Sequence, residues 1–261
     1  RYSMDRVQPN GTAVVAFEKR TGEIRYTAGD ELASYAVPQL ATIDGRRWGF
    51  LFARGGLIGF EPETGAADFR FPWRARLHDS VNASTPVVVG DEVLITETYG
   101  PGSALLKVEP GDYEVVWQDP PGRDKAMMCH WNTPIHHQGY LYGSSGRHKA
   151  NAELRCVQWS TGKIMWSEPR LTRSSLLYVD GHFVCLSEDG TLRLIDATPE
   201  AYRVKAEVVL QDESTGEPLL RDPAWAAPIL ARGLLYVRGR DRVVCLQLIT
   251  APSPVSVANE G

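Results

Sequence analysis

No stretch of this 261-residue chain is apolar and long enough to cross a membrane as a helix. Such a span needs about 18–20 consecutive apolar residues, and every apolar run here is far shorter. The chain also lacks any helical pattern of ten or more residues. Acidic and basic residues are interspersed, the net charge is −4, and no basic stripe is visible. The sequence therefore predicts no membrane span, little helix and no nucleic-acid partner.

Cysteine is scarce, and no two cysteines are adjacent: the four are Cys129, Cys156, Cys185 and Cys245. Neither their spacing nor the length of the chain suits a disulfide framework. A buried free cysteine behaves as a small hydrophobic residue, so we predict buried structural thiols. Cys156 and Cys245 occupy equivalent positions in two different repeats, and we expect them to lie too far apart to form a bond.

Turn residues, in contrast, are plentiful, with 24 glycines and 17 prolines. They separate short runs in which apolar and polar residues alternate, and such runs are typical of β-strands. The clearest unit covers residues 132–166 and contains four predicted strands, A to D. These are Asn132–Gln138, Tyr140–Ser145, Ala152–Trp159 and a strand that begins at Ile164, with a polar insertion at Gly146–Asn151 between B and C.

Looser copies of this unit occur on both sides of it. Thr-Gly turns join strands C and D at residues 21–22, 64–65 and 161–162. The spacing of strand A is close to the roughly 40–50 residues of a propeller blade. It is 48, 48, 42 and 52 residues, measured between Pro38, Pro86, Pro134, Leu176 and Pro228.

This periodicity predicts an all-β fold, a β-propeller of four-stranded antiparallel blades over residues 1–249, with a C-terminal tail at 250–261. Four units are complete. The N-terminal part adds only strands C (Thr12–Phe17) and D (Glu23–Thr27), and the C-terminal part adds A, B and C. Joining both ends would leave one strand C in excess, so we expect an open, incomplete ring. Residues 1–10 show no signal-peptide pattern and match the polar B–C insertion in position, so we expect the chain to begin inside the domain.

Two of the units carry a more specific pattern. Leu57–Glu61 is followed by Thr64-Gly65, and Leu154–Trp159 is followed by Thr161-Gly162-Lys163 and Trp166. These repeats resemble the pyrroloquinoline-quinone (PQQ) type of propeller repeat. The resemblance implies a ring of seven or eight blades and an exported, periplasmic location in bacteria. The family includes quinoprotein alcohol dehydrogenases, which bind the quinone and calcium, a non-catalytic outer-membrane assembly lipoprotein, and many exported bacterial propellers.

The chain departs from the quinone enzymes of this family. These enzymes hold the cofactor against a pair of adjacent cysteines, which is absent here. Trp131 and Trp225 could form the tryptophan floor of a quinone site, but no acidic cluster stands beside them in the sequence. We therefore predict a non-catalytic binding or scaffolding propeller with no catalytic residue, metal or cofactor. The alternative is a quinoprotein dehydrogenase with PQQ and calcium, or a degenerate descendant of one.

Loop length indicates which end of the propeller binds. The A–B and C–D connections are short, whereas the D–A connections, and two of the B–C connections, are long. Long loops in a compact domain usually have a binding role. We therefore predict a site for a protein partner, or for a small anionic or saccharide ligand, at the face that carries the D–A and B–C loops. Its candidate residues are Asn82, Tyr99, His130, Trp131, Asn132, Arg147, His148, Arg173, Ser174 and Trp225.

An anionic ligand is expected because Arg147, His148 and Arg173 have no matching carboxylate in their own motifs. Structural roles remain open for the other candidates, since Asn and Ser at strand starts often hydrogen-bond turn backbones and a Trp can seal the contact between blades. His136 and His137 are adjacent on a strand, so their side chains point to opposite faces and do not share a metal ion.

Overall fold

The computed structural model describes residues 8–77 and 80–249 of the chain. Over these residues the fold is all-β, and one turn of 3₁₀ helix, Lys149–Asn151, interrupts the strands. The expected C-terminal tail, 250–261, lies outside the described residues. Within them, no helix is long and apolar enough to cross a membrane.

The strands form six antiparallel sheets, which we number as blades 1 to 6 in chain order. Blade 1 contains β1 (Val14–Phe17) and β2 (Ile24–Ala28). Blade 2 contains β3 (Gln39–Ile43), β4 (Arg46–Ala53), β5 (Gly56–Phe60) and β6 (Ala67–Pro72). Blade 3 contains β7 (Val87–Val89), β8 (Glu92–Thr96), β9 (Ser103–Glu109) and β10 (Asp112–Gln118).

The other three blades repeat this order. Blade 4 contains β11 (Ile135–His137), β12 (Tyr140–Ser145), β13 (Glu153–Gln158) and β14 (Ile164–Pro169). Blade 5 contains β15 (Ser174–Val179), β16 (His182–Ser187), β17 (Thr191–Asp196) and β18 (Val204–Val209). Blade 6 contains β19 (Ile229–Ala231), β20 (Leu234–Arg238) and β21 (Val243–Gln247).

Each blade is a simple up-and-down meander, in which every strand pairs with its neighbours in sequence. Among the described strands, β1 pairs only with β2, and β20 pairs only with β19 and β21, so no sheet combines strands from both ends of the chain. The sheets are those of an incomplete β-propeller, and the predicted fold class is confirmed.

Strand A is shorter than predicted in two blades. The unit at residues 132–166 was predicted to begin strand A at Asn132, and the same pattern in the preceding unit gives a start at Val81. In the structure β11 begins at Ile135 and β7 at Val87. Pro86 and Pro134 directly precede these two strands, and proline has no N–H group to donate to a neighbouring strand. In addition, the carbonyl of Asn82 accepts hydrogen bonds from Tyr35 and Ala36 of a loop rather than from a strand.

The hydrophobic core lies between neighbouring blades. Trp48, Phe50 and Phe69 of blade 2 pack together with Val93 and Ile95 of blade 3 in one buried cluster. Comparable clusters join each later pair of blades. Burying a phenylalanine or isoleucine side chain contributes about 1.5–3 kcal/mol, so these contacts hold one blade to the next.

The cysteines are free, as predicted, but they are not all buried. Cys129, Cys156 and Cys185 are buried, and burial raises the pKa of each thiol to about 12, about 12 and about 11. The prediction was wrong for Cys245, which is exposed. Cys245 lies on β21, the last described strand of blade 6, and no further described strand covers that edge.

An aromatic residue on strand D links each of three blades to the next. The C–D pairing shifts by one residue in all five blades that have a described strand D, which is a β-bulge. Such a bulge re-aims the following side chain. The Tyr26 hydroxyl donates to the Pro62 carbonyl (2.6 Å), Trp117 Nε1 to the Trp159 carbonyl (2.7 Å), and Trp166 Nε1 to the carbonyl of Thr198 (2.9 Å). Each acceptor lies in the C–D turn of the following blade.

Candidate binding face

The D–A and B–C loops gather at one end of the blades, which we call the loop face. Arg173 of a D–A loop donates to the Arg147 carbonyl of a B–C loop (3.1 Å) and contacts His130 of another D–A loop. The A–B and C–D turns meet at the opposite end, where the Gly139 carbonyl accepts from the Trp159 amide (2.9 Å). The two kinds of loop are therefore separated as the loop lengths predicted.

His130 lies at the centre of a hydrogen-bonded network on the loop face. Its Nδ1 is 2.8 Å from Arg173 Nη1, and its Nε2 is 3.1 Å from the Tyr99 hydroxyl. Because a guanidinium can only donate, Nδ1 must accept, which assigns the proton of the neutral ring to Nε2. Burial, followed by the positive charges of Arg173 and Arg147, lowers the pKa of His130 to about 4. The imidazole is therefore neutral at neutral pH.

Glu188 pairs with Arg173, and the sequence did not reveal this partner. Arg173 Nε lies 2.8 Å from Glu188 Oε2, and Nη2 lies 2.5 Å from Oε1, which is a two-point contact. Trp225 Nε1 also donates to Oε1 at 2.9 Å. Burial opposes the charge of Glu188, but the bonds from Arg173 and Trp225 outweigh it and hold its pKa below the ordinary value. The expectation that Arg173 lacks a matching carboxylate was wrong.

Arg147 is the cation of this network that has no carboxylate partner. Its guanidinium lies 4.6 Å from the centre of the Tyr99 ring, a cation–π contact, and makes no hydrogen bond or ion pair with the described residues. His148 is exposed and begins the 3₁₀ turn. The adjacent Lys149 reaches across to Asp222 of the next long D–A loop, with Nζ 2.7 Å from Oδ2.

Two tryptophans lie side by side at the edge of the network. The ring centres of Trp131 and Trp225 are 6.1 Å apart, and Trp225 is 51% exposed. The indole N–H of Trp131 is buried and has no hydrogen-bond partner among the described residues, and the same holds for the hydroxyls of Thr98 and Thr172 in neighbouring loops. Buried polar groups are normally paired, so these groups have hydrogen-bonding capacity that no described residue uses.

Three of the predicted site residues are buried and support the loops instead of lining the face. Asn82 Nδ2 donates to the Ala53 carbonyl (2.7 Å), and Asn132 Nδ2 donates to the Ser144 carbonyl (2.9 Å). The Ser174 hydroxyl donates to the Leu171 carbonyl (3.2 Å). Their side chains hydrogen-bond backbone groups near strand starts, which is the structural role that the sequence left open. The structure brings the other predicted residues, except His148, into contact with at least one member of the network.

The arrangement does not fit a quinone–calcium centre. Calcium binds six to eight oxygen ligands, and carboxylates supply much of that set. Of the two buried carboxylates at the ends of the B strands, Glu188 is held by Arg173 and Trp225. Glu97 accepts backbone N–H groups of Tyr99, Gly100 and Gly102 at 2.7–3.0 Å. Within the described chain, no group of three or more acidic, His or Cys residues is placed to hold a metal ion.

His136 and His137 have separate surroundings, as their adjacent positions predicted. The His136 ring contacts Trp159 at 4.9 Å between ring centres, and the His137 ring contacts Tyr178 of blade 5 at 4.3 Å. Both residues belong to β11. The two rings therefore pack against different neighbours on opposite faces of the strand.

Comparison with known proteins agrees with the fold. The family model described as outer membrane protein assembly factor BamB matches residues 3–168. BamB from Moraxella catarrhalis has a TM-score of 0.65 and 13% identity, covering 90% of this chain. A europium-containing methanol dehydrogenase has a TM-score of 0.56 and 13% identity, covering 84% of this chain. The quinohemoprotein alcohol dehydrogenase from Comamonas testosteroni has a TM-score of 0.58 and 15% identity, covering 87% of this chain.

The chain is shorter than each of these proteins. It spans 66% of the Moraxella BamB chain, 56% of the methanol dehydrogenase and 48% of the alcohol dehydrogenase. No sequence among the curated proteins matches it. At identities of 13–15% the likeness to the solved structures concerns the fold.

Proposed function

This chain belongs to the family of the outer membrane protein assembly factor BamB, and from that premise we propose that it is a non-catalytic binding propeller whose partner site is the loop face. The observation that carries this proposal is the network around His130. It presents an exposed indole at Trp225 and, at Arg147, a guanidinium that has no carboxylate partner among the described residues. Arginine and tryptophan are the residue types that dominate binding energy in protein interfaces.

A protein is the partner that this chemistry favours. The Glu188 contacts hold Arg173 and Trp225 in place, so little side-chain freedom is lost when a partner binds. The matching family model describes an assembly factor for outer membrane proteins, which is a role exercised on other proteins. A bacterial, exported location accompanies this proposal. The second form of the binding proposal is a small anionic or saccharide ligand, because Arg147 and the Trp131 N–H, which has no described partner, would suit carboxylate or hydroxyl oxygens.

A quinone-dependent dehydrogenase is the alternative function, and it is favoured only by the likeness in fold to the two dehydrogenases. The carboxylates Glu97 and Glu188 are already engaged by protein donors. Adding the quinone with calcium to the purified protein tests this alternative. A quinone absorbance band that stays with the protein on gel filtration, together with dye-linked alcohol oxidation, would favour the dehydrogenase over the binding propeller.

Calorimetry tests the small-ligand form of the proposal directly. The wild-type protein is first titrated with citrate, phosphate and neutral oligosaccharides to find a ligand that binds. We expect Arg147→Ala to weaken binding of that ligand by about 1–3 kcal/mol, the scale of a charged hydrogen bond. Arg203→Ala is the matched control, because Arg203 is exposed in the connection from β17 to β18 at the opposite end. Equal affinity of the wild type and Arg147→Ala for the ligand would show that Arg147 does not contribute to the site.

A further inference from the structure

A cleft lies between blades 2 and 3 on the loop face, and it shares Tyr99 with the network around His130. One wall is the segment that follows β6, from Trp73 to Leu77, and another is the B–C loop of blade 3 from Tyr99 to Pro101. The D–A loop after β10, including Pro121 and Lys125, forms the floor. The cleft encloses about 590 Å³, which is within the range of roughly 300–1,000 Å³ that ligand sites occupy.

Buried carboxylates fix the walls of this cleft. Asp119 accepts the amide N–H groups of Ser103 and Ala126, both at 2.7 Å, and Glu97 accepts three amides of its own loop. Gly102 has a φ of +83°, and a Cβ there would lie 2.3 Å from Asp119 Oδ2. Only glycine therefore permits this approach. Trp73 Nε1 closes the corner by donating to the Gly102 carbonyl at 3.1 Å.

Among the described residues that line the cleft, the positive charges outnumber the negative ones. Arg74 and Arg76 both line it, are exposed, and make no hydrogen bond or ion pair with the described residues. Lys125 is buried, and its Nζ donates to the Pro120 carbonyl (2.5 Å), which occupies one of its three N–H groups. Since backbone amides already bind the Asp119 carboxylate, the cleft has an excess of cationic donors.

We propose that this cleft binds an acidic peptide segment of a partner protein, with side-chain carboxylates on Arg74 and Arg76. A guanidinium binds a carboxylate through two parallel hydrogen bonds. The indole of Trp73, the ring of Tyr99, and prolines 101 and 121 supply apolar walls for the uncharged side chains of the same segment. An open cleft with apolar walls and separated cations suits an extended peptide better than a compact inorganic anion.

Fluorescence anisotropy with a dye-labelled peptide of alternating glutamate and tyrosine tests this proposal. We expect saturable binding to the wild-type protein and a loss of affinity of about tenfold for each of Arg74→Gln and Arg76→Gln, which is about 1.4 kcal/mol for the loss of one charged contact. Arg20→Gln is the matched control, an exposed arginine in the C–D turn of blade 1, and should bind like the wild type. The same peptide with glutamine for glutamate should bind weakly.

Three results would overturn the proposal. They are unchanged affinity in the Arg74→Gln, Arg76→Gln double variant, equal binding of the glutamine peptide, and displacement of the labelled peptide by an equal concentration of inorganic phosphate. Trp225→Ala changes the network around His130 at a residue that does not line the cleft. It should leave this affinity within about twofold, so the cleft and the network are tested separately. Both cleft arginines are exposed, and circular dichroism would verify that the variants fold.

Discussion

At the residue scale, Arg173 and Glu188 form a nearly buried ion pair, with 14% and 4% of their side chains exposed. A buried pair seldom adds much stability, but removing one partner leaves an uncompensated charge. This pair therefore fixes positions: it aims one Arg173 nitrogen at His130 and holds the Trp225 indole at the surface. Arg173 and Trp225 are held in place because both donate to the Glu188 carboxylate behind them.

His130 should make the protein sensitive to acid. Its pKa in the folded chain is about 4, below the ordinary 6.5, because of burial and the charges of Arg173 and Arg147. Between these two values the unfolded chain binds a proton that the folded chain does not, so stability falls as pH falls. Glu188 and His148 also act on the ring, the former raising and the latter lowering its pKa.

Urea unfolding at pH 7 and pH 4.5 measures this loss of stability. We expect the wild type to lose about 1–2 kcal/mol more than His130→Gln over this interval, allowing for the partial exposure of the ring. His148→Gln, altered at an exposed residue of the same face, should change this pH dependence much less than His130→Gln does, because His148 has the smallest effect among the charged neighbours that shift the pKa of the ring. If His130→Gln shows the same pH dependence as the wild type, His130 is not held neutral by its surroundings.

The sequence predicted the neighbourhood of the site better than the role of each side chain. Loop length and strand order located Tyr99, His130, Arg147, Arg173 and Trp225 at one end, because topology determines where loops emerge. Glu188 was missed, although a signal existed: it directly follows strand B of its blade, as Glu97 follows strand B of another.

At the scale of secondary-structure elements, the Thr-Gly turns join blades as well as reverse the chain. Gly162 has a φ of +71°, and a Cβ there would lie 2.9 Å from the Trp117 ring of the preceding blade. Trp117 is itself held by its hydrogen bond to the Trp159 carbonyl. Gly22 has a similar φ of +78°, but nothing lies within 4 Å of its Cβ position.

These two turns provide a matched pair of variants. Gly22→Ala and Gly162→Ala incur a similar cost for a positive φ, but only Gly162→Ala collides with the neighbouring blade. We therefore expect Gly162→Ala to reduce the free energy of unfolding by about 1–3 kcal/mol more than Gly22→Ala, the usual cost of overpacking. Chemical denaturation of both variants measures this difference. Equal losses would show that the blade contact at Gly162 contributes nothing.

The exact strand limits were less predictable than the repeats. Period-two patterns give strand B of blade 4 at the predicted Tyr140–Ser145. Strand A was predicted too long because a pattern of apolar and polar residues does not show whether a backbone group hydrogen-bonds to a strand or to a loop. Tertiary contacts such as Tyr35 and Ala36 to the Asn82 carbonyl decide that question.

At the scale of the whole molecule, successive blades are joined by hydrophobic clusters and by aromatic hydrogen bonds near the C–D turns. The aromatic hydrogen bonds lie at the end that carries the A–B and C–D turns. Among the described residues, the loops of the loop face carry cations without a carboxylate partner, an exposed indole and buried N–H and O–H groups without a hydrogen-bond partner. The meander order of the strands places the long D–A and B–C loops at one end and the short turns at the other, and we propose that the end with the long loops binds the partner.

Site-specific photo-cross-linking in the cells of origin tests this division most directly. A benzophenone amino acid would replace Trp225 on the loop face or, as the control, Lys163, which is exposed in a C–D turn. We predict a discrete protein adduct from position 225, greatly reduced when Arg147→Ala is added, and none from position 163. An adduct from position 163 with none from position 225 would contradict the assignment of the loop face as the binding end.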